Sequence, residues 1–183
     1  MAEYDDILTA ADRNRREYSR VDACVPFSHQ AISPADVCYL KSRVVNNSFL
    51  ADFQAIPNVE DQMYGEWIKL INTKLDEIIR MLTLQRDGFS LLPFKPINIS
   101  GKGLNFFSLE RYEKGAVIEV KIVLTTLNTV AFFLYGEVIT VEPAEDSWRT
   151  GIRFIHMDDY TRNEIIRFVF ERERELIREK RGD

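Results

Sequence analysis

Cysteine and histidine are scarce in this 183-residue chain: Cys24, Cys38, His29 and His156 are all there is of either. Neither pair has metal-ligand spacing, so no metal site is expected, and two thiols in a chain of this size indicate a reducing compartment rather than a disulfide framework. Cys24 falls in a strand-like run and is expected to be a small core residue. His156 precedes Met157-Asp158-Asp159 and reads as part of a helix start. No apolar run approaches the ~20 residues needed to cross a membrane. The opening Met1-Ala2-Glu3-Tyr4-Asp5-Asp6 is acidic and does not read as a secretory signal. Positive charge is in deficit, with 24 Lys and Arg against 29 Asp and Glu for a net charge of −5, which argues against duplex DNA or RNA as a general partner. Also missing are a nucleophile–His–acid set and a Gly-x-x-x-x-Gly-Lys-Ser/Thr phosphate loop, so neither an enzyme nor a cofactor site is expected.

What is present divides the chain in three. Residues 1–27 hold a short amphipathic stretch over 2–12 (Tyr4, Ile7, Leu8, Ala11), a charged segment from Arg13 to Arg20, and a first strand over Arg20–Phe27. Residues 28–87 read as a helical insert. Ser33-Pro34 is a helix-start signal, and Val37, Leu40, Val44 and Val45 continue with helical spacing, followed by Phe49, Leu50 and Phe53. A second helix is expected from about Pro57 to Arg86, stopped by Asp87-Gly88. Its Tyr64, Ile68, Ile71, Leu75, Ile78 and Leu82 follow a heptad, with Ile68, Leu75 and Leu82 at a and Tyr64, Ile71 and Ile78 at d. Leucine at a with isoleucine at d shifts preference from dimers toward trimers or tetramers. Trp67, Ile79 and Met81 widen the apolar face. The same stripe also fits a core helix packed on the 34–53 segment, and periodicity does not separate the two.

Residues 88–183 change texture. Phe89–Ile97, Gly103–Ser108, Ala116–Leu124, Val130–Val141 and Trp148–His156 read as strands, with turns at Gly115, Asn128 and Pro143–Asp146. With the first strand they make six, which suggests a small antiparallel barrel. Asp158-Asp159 then caps a final helix through Ile165, Ile166, Val169 and Leu176, whose charged end over Glu171–Lys180 reads as a solvated face. Phe106, Phe107, Phe132 and Phe133 lie among mostly apolar or acidic neighbours, which argues against a single-strand nucleic-acid barrel.

Two short motifs carry the chemistry. Arg16 and Arg20 are four apart, with Arg13 and Arg15 beside them, and the guanidinium fork binds phosphate or a guanine edge bidentately while its face stacks on a base. Asn98-Ile99-Ser100-Gly101-Lys102-Gly103 offers an amide, a hydroxyl and glycines that let backbone N–H groups approach a ligand. An Arg-x-x-x-Arg segment followed by Asp/Asn-x-Ser-x-x-Gly resembles the PilZ domain, the bacterial receptor module for cyclic di-GMP.

The resemblance spans Arg15–Val25 and Phe89 to about Glu175. Positions 21–97, 77 residues, separate the two motifs, far more than in the minimal domain. It resembles a PilZ subset with a heptad-bearing helical insert at this place, in which tetramers are known. The resemblance implies a mainly β fold with α elaboration: a six-stranded antiparallel barrel, an inserted coiled-coil-like helix and a C-terminal helix. It implies a cytoplasmic cyclic di-GMP receptor, without enzyme activity, that changes conformation on binding and signals to a partner protein. Arg16 and Arg20 would clamp phosphate and guanine, Arg15 would stack on a base, and Asn98, Ser100, Gly101 and Gly103 would hold the second guanine side. Tyr64, Ile68, Ile71, Leu75, Ile78 and Leu82 would assemble a homo-oligomer, a tetramer before other numbers. The competing reading is a PilZ-fold scaffold assembled by the 57–86 helix with the ligand site unused.

Overall fold

The computed structural model describes residues 19–33, 40–45, 62–125 and 129–181. The expected helix over 2–12, Arg15 and Arg16, and the flanks of the expected 34–53 helix lie outside these residues.

Strand β1 (Arg20–Ala31) sets the pattern for the barrel. Val21, Ala23, Val25 and Phe27 are buried while Asp22 and Cys24 face out, because successive side chains of a strand point to opposite faces. This register corrects the reading of Cys24 as a core residue: it is on the strand but exposed. The first half of β1 pairs with β3 (Phe94–Ser100), from Arg20 opposite Ser100 to Pro26 opposite Phe94. Its second half pairs with β5 (Val117–Thr125), from Phe27 opposite Ile122 to Ala31 opposite Ile118. Next to β3 runs β4 (Gly103–Ser108), then β7 (Ser147–Ile155), while β6 (Thr129–Ala144) lies beside β5. Pairing of β6 with β7 closes the ring, giving the expected six-stranded antiparallel barrel. Closure leaves no open edge within the ring. A register shift between Val138 and Thr140 marks a bulge where β6 passes from β5 to β7, a device that bends a strand.

Val21, Phe27, Ile99, Leu104, Phe106, Ile118 and Leu134 contribute to the core. Helix α2 (Asp159–Arg181) inserts Ile165, Phe168 and Val169 into the same core at i, i+3 and i+4. It is capped as expected, by Asp158 Oδ1 accepting the Thr161 N–H at 2.8 Å. Hydrogen bonding from the Thr161 side chain, and then from its backbone N–H, holds the Asp158 carboxyl below its ordinary range.

Two expectations are corrected here. Helical spacing through Leu40, Val44 and Val45 gives way to a short strand, β2 (Arg43–Val44), on β6. Val44 belongs to the main core and Val45 to a second cluster, an alternation that β-branched neighbours satisfy on a strand but not on one helix face. Buried Ser42 fixes the approach: its hydroxyl donates to the Ile155 carbonyl at 2.9 Å and accepts the Tyr135 N–H at 3.0 Å. Strand β3, the second of the barrel in chain order, begins at Phe94, not Phe89. Phe89 instead anchors the second cluster with Val45 and Ala131, against Leu84, Leu92, Val123 and Phe133.

That cluster fixes the end of helix α1 (Gln62–Arg86). Gly88 takes φ 78°, open to glycine at little cost. The Gly88 and Phe89 N–H groups donate back to the Gln85 and Leu84 carbonyls at 3.1 and 2.8 Å, a Schellman stop with its apolar contact from Phe89 to Leu84. Lys121 Nζ donates to the Asp87 carbonyl at 2.9 Å and sits 5.2 Å from the Phe133 ring centroid. The heptad seam is uncovered in the single chain: Tyr64, Ile68, Ile71, Leu75, Ile78 and Leu82 are each 37–60% exposed.

Candidate functional site

The two motifs, 77 residues apart (positions 21–97), are joined by the antiparallel register of β1 on β3. Arg20 pairs with Ser100, and Asp22 with Asn98. Arg20 Nη1 donates to Asn98 Oδ1 at 3.3 Å, and Asn98 Nδ2 donates to Asp22 Oδ1 at 2.8 Å. Asn98 therefore stands between a guanidinium and a carboxylate on the outer face of the barrel.

Ser100 to Gly103 form a tight hairpin between β3 and β4, Ser100 paired with Gly103. The Ser100 side chain is buried and its hydroxyl donates to the Gly103 carbonyl at 3.1 Å while accepting the Lys102 N–H at 3.4 Å. A Cβ on Gly103 would come within 2.1 Å of the Ile152 carbonyl oxygen, so this glycine is required by the close backbone of β7. Gly101 and Lys102 occupy the hairpin tip, and the Lys102 carbonyl accepts the Phe154 N–H at 2.9 Å.

The outward residues form cross-strand rows. Asp22, Asn98, Asn105 and Gly151 stand opposite one another in turn across β1, β3, β4 and β7. A Cβ on Gly151 would lie 2.7 Å from Asn105 Oδ1 and 2.3 Å from Thr140 Oγ1, so the glycine leaves room for the Asn105 amide. One row along, Cys24 faces Pro96 and Phe107 faces Arg149. These residues, Gly151 excepted, floor an open cavity of about 470 Å³, and Arg172 of α2 lines it too. The cavity thus has a carboxamide end, an apolar and aromatic stretch, and arginines. That combination suits a ligand with polar-edged rings and anionic groups.

Of the residues singled out from the sequence, Asn98 lines this cavity and Arg20 reaches Asn98 from the facing strand, while Ser100, Gly101 and Gly103 lie further along the β3–β4 hairpin, outside the lining. Asn105, Phe107, Arg149 and Arg172 were missed. Outward alternation along β4 and β7 could have flagged the first three. Arg172 was hidden in a helix tail whose alternating charges read as solvent-facing. The strongly shifted histidine is elsewhere: His29, roughly 30 Å along β1 from Arg20, is lowered to about 4 by burial and then by the charge of Lys95.

The cavity lies on a closed ring of six strands that carries helices. Residues 82–171 match the family model of the PilZ domain. The match runs from the end of α1 through β3–β7 into α2 and includes neither the arginine segment nor β1. A solved structure of a pathogenic protein from Xanthomonas campestris, described as a new tetrameric PilZ domain self-assembled via an unusual helical bundle, is similar in fold. It shares a TM-score of 0.60 at 15% identity, covering 94% of this chain and 98% of that one. Comparison with curated proteins gives no match. PilZ domains as a family are cyclic di-GMP receptors. Among the described residues no group of His, Cys, Asp and Glu could hold a metal ion, and no helix is long and apolar enough to cross a membrane.

Proposed function

We propose that this protein is a cytoplasmic cyclic di-GMP receptor without chemistry of its own, assembled as a homo-oligomer through α1. One observation carries the binding half: Arg20 reaches Asn98 across β1 and β3, at 3.3 Å, so the two halves of the family's ligand pattern meet beside the cavity that Asn98 lines despite the long insert. Arg20, with Arg15 and Arg16 just before the described residues, supplies phosphate and guanine clamping. Asn98 offers its amide to a base edge, and the hairpin built by Ser100, Gly101 and Gly103 offers backbone groups. Binding draws the arginine segment onto the cavity, and a partner protein reads the altered surface. The exposed thiol of Cys24 accords with a reducing compartment.

The assembly half rests on the uncovered seam of α1 and on the Xanthomonas neighbour, itself a tetramer held by a helical bundle. A scaffold with an unused site is the second reading, favoured by the Ser100 hydroxyl being engaged by Gly103 and the Asn98 amide nitrogen by Asp22. Calorimetric titration with cyclic di-GMP separates the two. The receptor reading expects saturable binding, micromolar or tighter, that is lost in Arg16→Ala/Arg20→Ala and weakens steeply with salt. No heat and no thermal shift for the wild type would leave the scaffold.

A further inference from the structure

We infer that Arg172 of α2 is a ligand-binding residue, one that exchanges a glutamate partner for a phosphate of the bound dinucleotide and so couples occupancy to the C-terminal helix. This rests on the receptor reading above and extends it to an element outside both motifs.

Arg172 is the α2 residue that lines the cavity, facing strand residues that include Asp22, Asn98, Phe107 and Arg149. The charged residues of that lining are two arginines and one aspartate, a positive balance that favours an anion in a chain of net charge −5. Arg172 is held in reserve. Its Nη1 donates to Glu175 Oε2 at 2.7 Å, three residues on, with Glu179 Oε1 at 3.8 Å, and its side chain is 34% exposed. An exposed i,i+3 ion pair is weak. A guanidinium–phosphate contact is charge-assisted and can be bidentate, so the exchange runs toward the ligand.

The same turn of helix is tied to the arginine motif from the other side. The hydroxyl of Ser19, immediately before Arg20, donates to Glu173. Glu173 and Arg172 are adjacent in sequence, so a shift of the helix side chains toward the cavity acts at once on the segment that carries Arg20. The helix is also wedged into the barrel core through Ile165, Phe168 and Val169, with Leu176 packed against the same core one turn beyond Arg172, so the exchange is one of side chains on a seated helix.

The test is titration of the full chain with cyclic di-GMP using wild type, Arg172→Ala, Glu175→Gln and Arg167→Ala, each checked for native circular dichroism. Arg167 sits on the same helix, paired with Glu164 at 3.1 Å, and is absent from the cavity lining. Arg172→Ala weakens binding about tenfold or more. Glu175→Gln, which removes the competing carboxylate, tightens it severalfold, an effect that a merely structural role would not produce. Arg167→Ala stays within about twofold. Arg172→Ala at wild-type affinity, or Glu175→Gln weakening binding alongside it, overturns the role of Arg172 and leaves the receptor reading intact. A folded wild type that does not bind overturns both.

Discussion

His29 sits on the second half of β1 with its ring centroid 4.5 Å from that of Phe106 and its Nδ1 2.8 Å from the Tyr112 hydroxyl. Burial, and secondarily the charge of Lys95, lowers it to about 4 from an ordinary 6.5. The sign follows from linkage. Between pH 6.5 and 4 the unfolded chain takes up a proton that the folded protein refuses, so stability is full above pH 6.5 and declines as pH falls. After allowing for partial exposure, the loss is on the order of 2 kcal/mol. Urea midpoints at pH 7 and pH 5 should therefore converge in His29→Gln relative to wild type; equal slopes in the two proteins would show that other groups carry the acid sensitivity. Residues beside the cavity show the same dependence on immediate surroundings. Ser100 turns inward to brace its hairpin, and Gly151 exists to spare the Asn105 amide.

Among the elements, the last turn of α1 is where the insert becomes part of the barrel. Gly88 at φ 78° and Phe89 in the second cluster are both needed for that junction. Phe89→Ala removes a buried ring and is expected to cost about 3–5 kcal/mol. Hydrogen exchange should show the α1 C-terminal amides losing protection more than those of β3 or β4. Uniform loss across the chain would mean that the junction has no separate role. This junction also marks what sequence can and cannot disclose. Asp87-Gly88 announced the stop because a Schellman turn has a compositional signature, and the strands announced themselves by alternation. The sequence could not say that Phe89 packs on the outside of the barrel, because apolar content alone does not tell one core from another. Val44 and Val45 fitted a helical template and a strand equally, and pairing with β6 decided between them. Arg20 and Asn98 were legible as a motif, whereas Arg149 and Arg172 converge only through strand register and helix placement, which no local pattern encodes.

For the whole molecule, the question is what covers the α1 seam. Ile71 and Ile78 are 55% and 51% exposed in the single chain, and burying such side chains contributes roughly 1.5–3 kcal/mol each. Light scattering of the wild type is expected to give a multiple of the 21.4 kDa chain, a tetramer foremost. Ile71→Asp/Ile78→Asp should reduce it to a monomer with the barrel intact by thermal melting. A monomeric wild type would end the assembly reading.

The Schellman stop, the Phe89 cluster and the Lys121 bond to the Asp87 carbonyl leave little slack between helix and barrel. If α1 gathers several chains, their cavities are therefore presented at set separations and set angles, not at the ends of loose tethers. A partner with repeated docking elements of matching pitch would make its second contact at high effective concentration, and its grip would rise steeply with the number of occupied sites. The short rigid join would thereby convert a graded change in nucleotide level into a sharper, avidity-driven response.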